Sequence, residues 1–276
     1  MKKIRLVALD IDGTLLDDQK RLPPENRDAL QEVARRGIRV AIASGRMIPR
    51  IEPIEDLLGI DCVLIAYNGG TVVGPRREGR PRIAHRPVPA DVAEYFIHYS
   101  RETGQLLNFY HEDRLYAEGG PRRQPLIDLY SSRTGAEFTI EEDLRRFIGV
   151  RPTKLILLAE PEDVDRLRLE FQARFGSRAF FTKSEAEYLE ILAPGVDKGS
   201  ALTDTARYYG LEVEETMAMG DAENDIELLH AAGWGVAMAN ASPHVRAAAN
   251  AVTERSNNEG GVAEGLRRWV LDGASG

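Results

Sequence analysis

Acidic residues follow two apolar segments of this sequence, and their spacing permits phosphoryl-transfer chemistry. Asp10 and Asp12 come directly after the apolar run that begins at Ile4. Two carboxylates one residue apart can divide the work, because one attacks phosphorus while the other moves a proton to the leaving group and later from water. Alone, such a pair is also typical of a solvated turn or a calcium loop. The calcium loop is excluded, since it would need glycine at Leu15 and glutamate at Arg21.

A second acidic segment, residues 220–225, also follows a short apolar run and precedes a predicted helix. The carboxyl ends of strands in open α/β sheets are where ligands bind. Magnesium prefers oxygen ligands and retains water, so Asp10, the main-chain carbonyl of Asp12 and Asp221 are its candidate protein ligands. Asp225 is placed to support them from behind. The alternative interpretation is that Asp221 caps the helix and the other acids are solvated.

Two further segments offer groups that bind phosphate. Ser44 and Gly45 follow the predicted strand 38–43 and supply a hydroxyl and an open backbone N–H at a predicted helix N-terminus, whose dipole favours an anion. Lys198 opens another predicted helix, and a site with three aspartates and a phosphoryl group needs a cation besides the metal. Alone, Ser-Gly is also an ordinary capping dipeptide, and most lysines are surface charges.

The elements that must position these residues form βαβ units. Short apolar runs rich in β-branched residues alternate with helical patterns at both ends of the chain, which predicts a doubly wound, mostly parallel sheet whose last strand is Gly235 to Met238. The intervening segment has helices and paired strands typical of an antiparallel α+β domain. We therefore expect an α/β core made of residues 1–85 and 190–276, with an inserted domain at 86–189.

The composition limits the class of partner. The 276 residues include 44 acidic and 36 basic side chains, and the net charge of −8 gives no general reason to bind nucleic acid or an anionic membrane. No uncharged run is long enough to span a bilayer, and no signal-peptide cleavage site follows the start. Cys62, the only cysteine, excludes an intrachain disulfide and is predicted to be a buried core residue. We expect a soluble cytoplasmic protein, and the sequence carries no signal for its oligomeric state.

Four segments together resemble the haloacid dehalogenase (HAD) superfamily of phosphotransferases in order and spacing. They are Asp10-Ile11-Asp12-Gly13-Thr14, Ser44-Gly45-Arg46, Lys198-Gly199, and Gly220-Asp221 through Asn224-Asp225. The large insert between residue 70 and Lys198 is similar to that of the Cof-type subgroup, subfamily IIB. This resemblance implies a Rossmann-like core with an inserted α/β cap of the C2B type.

The resemblance also implies catalytic roles. Asp10 would form an aspartyl-phosphate, Asp12 would be the general acid and base, and Ser44 with Lys198 would hold the phosphoryl group. The implied substrate-binding residues are Ser44, Gly45, Asn68, Lys198 and Asn224.

A magnesium site is implied as well. Its residues would be Asp10, Asp12 and Asp221, with Asp225 in a supporting position. Asn68 is similar to a core asparagine that faces the substrate in such proteins, although a simple turn role is the alternative interpretation.

The expected function is magnesium-dependent hydrolysis of small phosphate monoesters, such as sugar phosphates or phosphorylated cofactors. A phosphosugar mutase and a non-catalytic sugar-phosphate-binding regulator are the alternatives. Dehalogenation is disfavoured because it gives Asp12 no proton to move. In the inserted domain, His111, Arg122 and Arg123 are polar enough to reach a substrate, but surface exposure is the favoured interpretation for each.

Overall fold

The protein was analysed as a computed structural model, which describes residues 2–272 apart from the side chain of Ser184. The chain divides into two compact units. The first contains the chain up to His85 and again from Asp197 onward, and the second is Arg86–Val196. The expected boundary at 189/190 falls inside the strand Tyr188–Leu192, which pairs with strands of the second unit on both sides. That strand therefore belongs to the second unit.

The first unit is built on an eight-stranded sheet, with strands and helices numbered here in chain order. Its strands are β1 (Leu6–Asp10), β2 (Arg39–Ala43), β3 (Val63–Ala66), β4 (Thr71–Val73), β5 (Arg82–His85), β12 (Thr216–Gly220), β13 (Trp234–Ala237) and β14 (Ala251–Val252). Its helices are α1 (Pro24–Arg35), α2 (Ile48–Leu58), α6 (Lys198–Tyr208), α7 (Ile226–Ala231), α8 (Pro243–Ala247) and α9 (Gly261–Leu266). The spatial order is β14-β13-β12-β1-β2-β3-β4-β5. Pairing is parallel from β14 to β3 and antiparallel beyond.

Strand β1 lies in the middle of this sheet, and all five of its residues are buried. Leu6 and Ala8 pack in one apolar cluster with Ala201 and Leu202 of α6. Neighbouring side chains point to the opposite face, and they are also excluded from solvent. A strand covered on both faces is what a continuous apolar run specifies. The predicted α/β fold class, with helices on both sides of a largely parallel sheet, is confirmed.

The second unit is a six-stranded, mainly antiparallel sheet in the order β10-β11-β9-β6-β7-β8. Its strands are β6 (Leu107–His111), β7 (Arg114–Glu118), β8 (Phe138–Glu141), β9 (Lys154–Leu158), β10 (Phe180–Glu185) and β11 (Tyr188–Leu192). Its helices are α3 (Ala90–Thr103), α4 (Gln124–Thr134) and α5 (Pro161–Phe175). An apolar core joins α3 and α5 to one face of the sheet, with Phe96 and Phe171 at 4.8 Å between ring centroids. The unit therefore has a core of its own.

Some elements differ from the prediction. Gly235 to Met238 is not the last strand, because β14 pairs with β13 beyond it. Two residues are too few to give a periodic signal, which is why the sequence does not reveal β14. Helix α4 and strand β8 lie in a stretch of the inserted segment for which the sequence indicates no particular element, since exposed faces leave little apolar pattern there.

Cys62 is fully buried, as predicted. Among residues 2–272, no helix combines the length and apolar character needed to cross a membrane.

Candidate active site

The candidate residues of the first unit meet at the carboxyl ends of the parallel strands. Asp10 ends β1, Ser44 follows β2, and Asp221 follows β12. Because β1 pairs in parallel with both β2 and β12, these three strand ends are neighbours. Helix α6 begins at Lys198 and points its first side chain into the same place. The structure therefore brings together residues that are up to 211 positions apart in the sequence.

Lys198 lies at the centre of the cluster and is almost completely buried. Its ammonium donates to Oδ1 of Asp10 at 2.6 Å and to Oδ1 of Asp225 at 2.6 Å. Burial and the neighbouring Asp225 charge raise the pKa of Asp10, while Lys198 acts in the opposite direction. Burial alone would lower the pKa of Lys198, but the two carboxylates outweigh it and raise that pKa above its ordinary value. The cation is thus permanently charged beside Asp10.

Asp225 also organises the loop that follows β12. Its Oδ2 accepts hydrogen bonds from the backbone N–H groups of Asp221 and Ala222, each at 3.1 Å. Both Asp225 oxygens are therefore occupied inside the protein. The Asp221 carboxylate is directed by Thr14, whose hydroxyl donates to Oδ1 at 2.8 Å. Gly13 is required here, because a Cβ atom at this position would collide with the Asp221 carboxylate.

Three neighbouring acids, of which Asp10 and Asp225 are buried and Asp221 is half-buried, form a group that can hold a divalent metal. One carboxylate oxygen from each of Asp10, Asp221 and Asp225 lies within 4.8 Å of the others. Burial raises the pKa of Asp221 to about 6, with Thr14 opposing and Asp225 adding to the shift. The raised pKa values of Asp10 and Asp221 come first from burial, and the neighbouring carboxylates add to the shift. An all-oxygen donor set with excess negative charge fits a hard cation such as magnesium.

Asp12 has different surroundings from Asp10. Arg46 donates to both of its oxygens, from Nη2 at 2.7 Å and from Nε at 3.0 Å, and Lys20 donates from Nζ at 2.8 Å. Partial burial works to raise the pKa of Asp12, but Lys20 and Arg46 outweigh it and hold that pKa below its usual range. The pKa is therefore raised for Asp10 and lowered for Asp12, although only one residue separates them.

The remaining candidate residues form another wall of the site. They are Ser44, Gly45, Asn68 and Asn224. The Ser44 hydroxyl accepts from the backbone N–H of Arg46 at 3.2 Å, and Oδ1 of Asn68 accepts from the Asn224 amide at 3.3 Å. A side chain at Gly45 would press against the Asn68 amide, and Asn68 itself lies in the left-handed region with φ 55°. Asn68 thus makes a turn and presents its amide to the site.

One expectation about this wall is wrong. Ser44 and Gly45 were placed at a helix N-terminus, whereas α2 begins only at Ile48, after an extended Met47. Proline at the second helical position delays the start of the helix beyond the loop. A phosphate near Ser44 would therefore meet the loop that precedes α2, and not the first turn of that helix.

Three residues of the site were missed or left without a role. Arg46 was noted only as part of a motif, and Lys20 was not considered. Asn240 donates from Nδ2 to the carbonyl of Gly13 at 2.8 Å and more weakly to Oδ2 of Asp221 at 3.4 Å. Its Oδ1 accepts from a backbone N–H at 3.0 Å, which fixes the amide orientation. The sequence could have indicated Asn240, because it follows the carboxyl end of β13, a strand parallel to those that carry the acidic residues.

In the second unit, the interpretation of Arg123 as a solvated surface residue is wrong. Arg123 is buried, and it donates to Glu118 at 2.8 Å and to the carbonyl of Ser100 at 2.9 Å. A buried arginine needs such partners, and here they link α3, β7 and the start of α4. Arg122 is exposed and His111 is partly buried, so neither shows a comparable structural role.

Comparison with known proteins adds the family. The profile of the haloacid dehalogenase-like hydrolases matches residues 7–266. An HMP-PP phosphatase of Serratia proteamaculans (strain 568) is 33% identical over 242 residues, covering 88% of this chain and 86% of its own. The crystal structure of TM0651 from Thermotoga maritima has a TM-score of 0.85 and 32% identity, covering 96% of this chain and 97% of its own.

A third similar protein supports the fold alone, because its sequence identity is low. The HAD subclass IIB sugar phosphatase BT4131 has a TM-score of 0.80 at 21% identity, covering 96% of this chain and 98% of its own. The predicted resemblance to the haloacid dehalogenase superfamily is confirmed by the family profile and by the 33% identical phosphatase, and the protein is an enzyme of the phosphatase type. The chain belongs to the haloacid dehalogenase-like hydrolase family.

Proposed function

We propose that this enzyme is a magnesium-dependent phosphatase that hydrolyses small phosphate monoesters through an aspartyl-phosphate on Asp10. The observation that carries the proposal is the buried contact of Lys198 with both Asp10 and Asp225, next to Asp221. This contact holds the Asp10 carboxyl group beside a fixed cation and a potential metal site. Such an arrangement offers both a nucleophile and compensation for phosphoryl charge.

In the proposed first step, the second oxygen of Asp10 attacks phosphorus and the bond from phosphorus to the ester oxygen breaks. Asp12 must first take up a proton from solvent, against its lowered pKa, and it then gives that proton to the leaving oxygen. Ser44 and Lys198 hold the phosphoryl oxygens, and Gly45, Asn68 and Asn224 line the substrate side. Fixed donors around the phosphoryl group stabilise charge without reorganisation.

In the second step, water attacks the phosphorus of the aspartyl-phosphate and gives its proton to Asp12. The bond between phosphorus and Asp10 breaks, which releases inorganic phosphate and restores the carboxylate. Asp10, Asp221 and the main-chain carbonyl of Asp12 would hold magnesium, and Asp225 would position them through its contacts with the loop after β12. When bound, the ion supplies positive charge that neutralises the phosphoryl oxygens.

We also propose that residues 86–196 act as a cap that selects the leaving group, and that the enzyme works in the cytoplasm on a small phosphorylated metabolite. The single buried cysteine suits a reducing compartment. The sugar-phosphate and cofactor classes remain the first candidates, because an HMP-PP phosphatase and a sugar phosphatase are among the similar proteins.

The test is phosphate release from a panel of sugar phosphates, nucleotides and phosphorylated cofactors with magnesium. Asp10→Asn protein is the matched blank, because it removes the attacking charge and almost no volume. We expect turnover by the unmodified enzyme that Asp10→Asn and a chelator both abolish, and that added magnesium restores. Near-normal activity of Asp10→Asn would contradict the mechanism, and activity indifferent to the chelator would contradict the metal role. Isomer formation without phosphate release would favour the mutase.

A further inference from the structure

Two basic side chains, Lys20 and Arg46, contact Asp12. Arg46 and Lys20 together make three hydrogen bonds to the Asp12 carboxylate. With two cations and one carboxylate, the group carries a net charge of about +1 in a chain whose total is −8. The side chain of Lys20 is 61% exposed and that of Arg46 is 30% exposed. Exposed ion pairs contribute little to folding, so stability alone is a weak reason for Lys20 to be there.

The backbone around Lys20 supports a functional reason. Asp17 and Arg21 close a tight loop, since the Asp17 N–H donates to the Arg21 carbonyl at 2.9 Å and the Lys20 N–H donates to the Asp17 carbonyl at 2.9 Å. The Asp17 side chain also accepts from the backbone N–H groups of Gln19 and Arg21. Lys20 sits in this loop at φ 60°, a region that favours glycine or asparagine. The loop therefore holds an unfavoured lysine in a fixed place beside Asp12.

Arg46 is fixed from the other side. Its backbone N–H donates to the Ser44 hydroxyl, and its carbonyl accepts from the Tyr67 N–H at 3.0 Å. The same short segment therefore carries the proposed phosphoryl-binding hydroxyl and the guanidinium that grips Asp12. A guanidinium held this way presents planar donors that suit a carboxylate or a phosphate.

We propose that Lys20 and Arg46 recognise a second anionic group on the leaving group of the substrate. The inference rests on the proposed function, in which Asp12 contacts the leaving oxygen. Atoms attached to that oxygen then lie near the two cations around Asp12. The preferred substrates are phosphorylated metabolites with a carboxylate or a phosphate next to the scissile bond, and a neutral alcohol leaving group is disfavoured. The bonds broken and formed are those of the two proposed steps.

Three small substrates separate these chemistries. Ethyl phosphate has a neutral leaving group, 2-phosphoglycolate replaces its methyl group by a carboxylate, and ethyl diphosphate carries a phosphate. We would measure kcat/KM for each with free magnesium in constant excess. We expect both charged probes to exceed ethyl phosphate at least tenfold, and the advantage to fall as ionic strength rises. An advantage for only one probe would assign the second group as phosphate or as carboxylate.

Variants of Lys20 supply the decisive comparison. In Lys20→Met, the ratio of charged to neutral kcat/KM should fall roughly tenfold, and Lys20→Arg should restore most of it because the cation returns. Lys3→Met, at an exposed lysine of the same unit, is the matched control and should keep the ratio. For ethyl phosphate and 2-phosphoglycolate, whose leaving alcohols have similar basicity, the ratio also separates recognition from a general effect on Asp12, which would change both alike.

Two outcomes would overturn the inference. The first is a wild-type enzyme that prefers ethyl phosphate, or that hydrolyses sugar phosphates but none of the three probes. Either result would contradict the inference and leave the phosphatase proposal intact. The second is an unchanged ratio of charged to neutral kcat/KM in Lys20→Met, which would also contradict the inference and leave the phosphatase proposal intact. Failure to release phosphate from any substrate of the wider panel would instead contradict the proposed function itself.

Discussion

Replacing Lys198 by methionine removes the cation of the site and keeps most of its volume. The ammonium is almost completely buried and makes two contacts of 2.6 Å, to Asp10 and Asp225. Methionine would leave two buried carboxylates facing each other without a positive charge. Removing one partner of a buried ion pair typically costs about 3–5 kcal/mol. We therefore expect Lys198→Met to lower the free energy of unfolding by about 4 kcal/mol at pH 7.5 without metal.

This loss should depend on pH in a defined direction. Burial and Asp225 already raise the pKa of Asp10, and the variant removes Lys198, the group that opposes them. The folded variant should then bind a proton that the unfolded chain releases. Its stability relative to the wild type therefore improves as pH falls from the higher Asp10 pKa of the variant toward the wild-type value of about 8, so the deficit should shrink on acidification through that range.

Urea unfolding followed by tryptophan fluorescence is the appropriate assay. Both tryptophans, Trp234 and Trp269, lie in the first unit, so the signal reports on the unit that contains the site. Samples should contain a chelator, since a bound cation would partly replace the lost charge. The double variant Lys198→Met with Asp225→Asn is the control, and it should be less destabilised than the sum of the single variants by roughly 1–2 kcal/mol. A loss below about 1 kcal/mol, or a deficit that grows on acidification, would refute the reasoning.

Three other predictions concern single residues. Asn240→Ala should raise the magnesium concentration for half-maximal activity several-fold with a smaller effect on kcat, because it frees the Gly13 carbonyl and Asp221; an unchanged magnesium titration would contradict this role. Gly13→Ala should reduce phosphate release at least tenfold, since a Cβ would displace the Asp221 carboxylate and φ is +83°, and retained activity would argue against it. Burial raises the pKa of the Cys62 thiol, so a thiol reagent such as Ellman's should label the denatured protein but not the native one. Rapid native labelling would show that the thiol is accessible.

The general plan of the core could be read from the sequence because its strands are covered on both faces. β1 and β12 are continuous apolar runs that end in acidic residues, so the rule that ligands bind at strand ends directs attention to Asp10 and Asp221. The same rule applied to the end of β13 would have directed attention to Asn240. Asn240 is hard to recognise in the sequence because asparagine carries no charge and its contact is to a main-chain carbonyl.

Other parts of the site could not be read from the sequence. The contact of Lys198 with Asp225 joins residues 27 positions apart, and its contact with Asp10 depends on the pairing of β1 with β12. The position of Lys20 depends on a left-handed turn that no glycine or asparagine announces. Arg123 looks like a surface charge in the sequence, because its partners Glu118 and Ser100 come from separate elements. In each case the information lies in tertiary contacts and not in residue spacing.

The strand order of the first unit has a consequence for how the protein is made. β1 is buried between β2 and β12, and β12 is synthesised about 200 residues after β1. At roughly 5–20 residues per second, one edge of this largely apolar strand waits on the order of 10–40 s for its partner on the ribosome. Until then the nascent chain has an open edge of the kind that recruits other strands. The second unit, which has a separate core and is complete before β12, is free to fold during that interval.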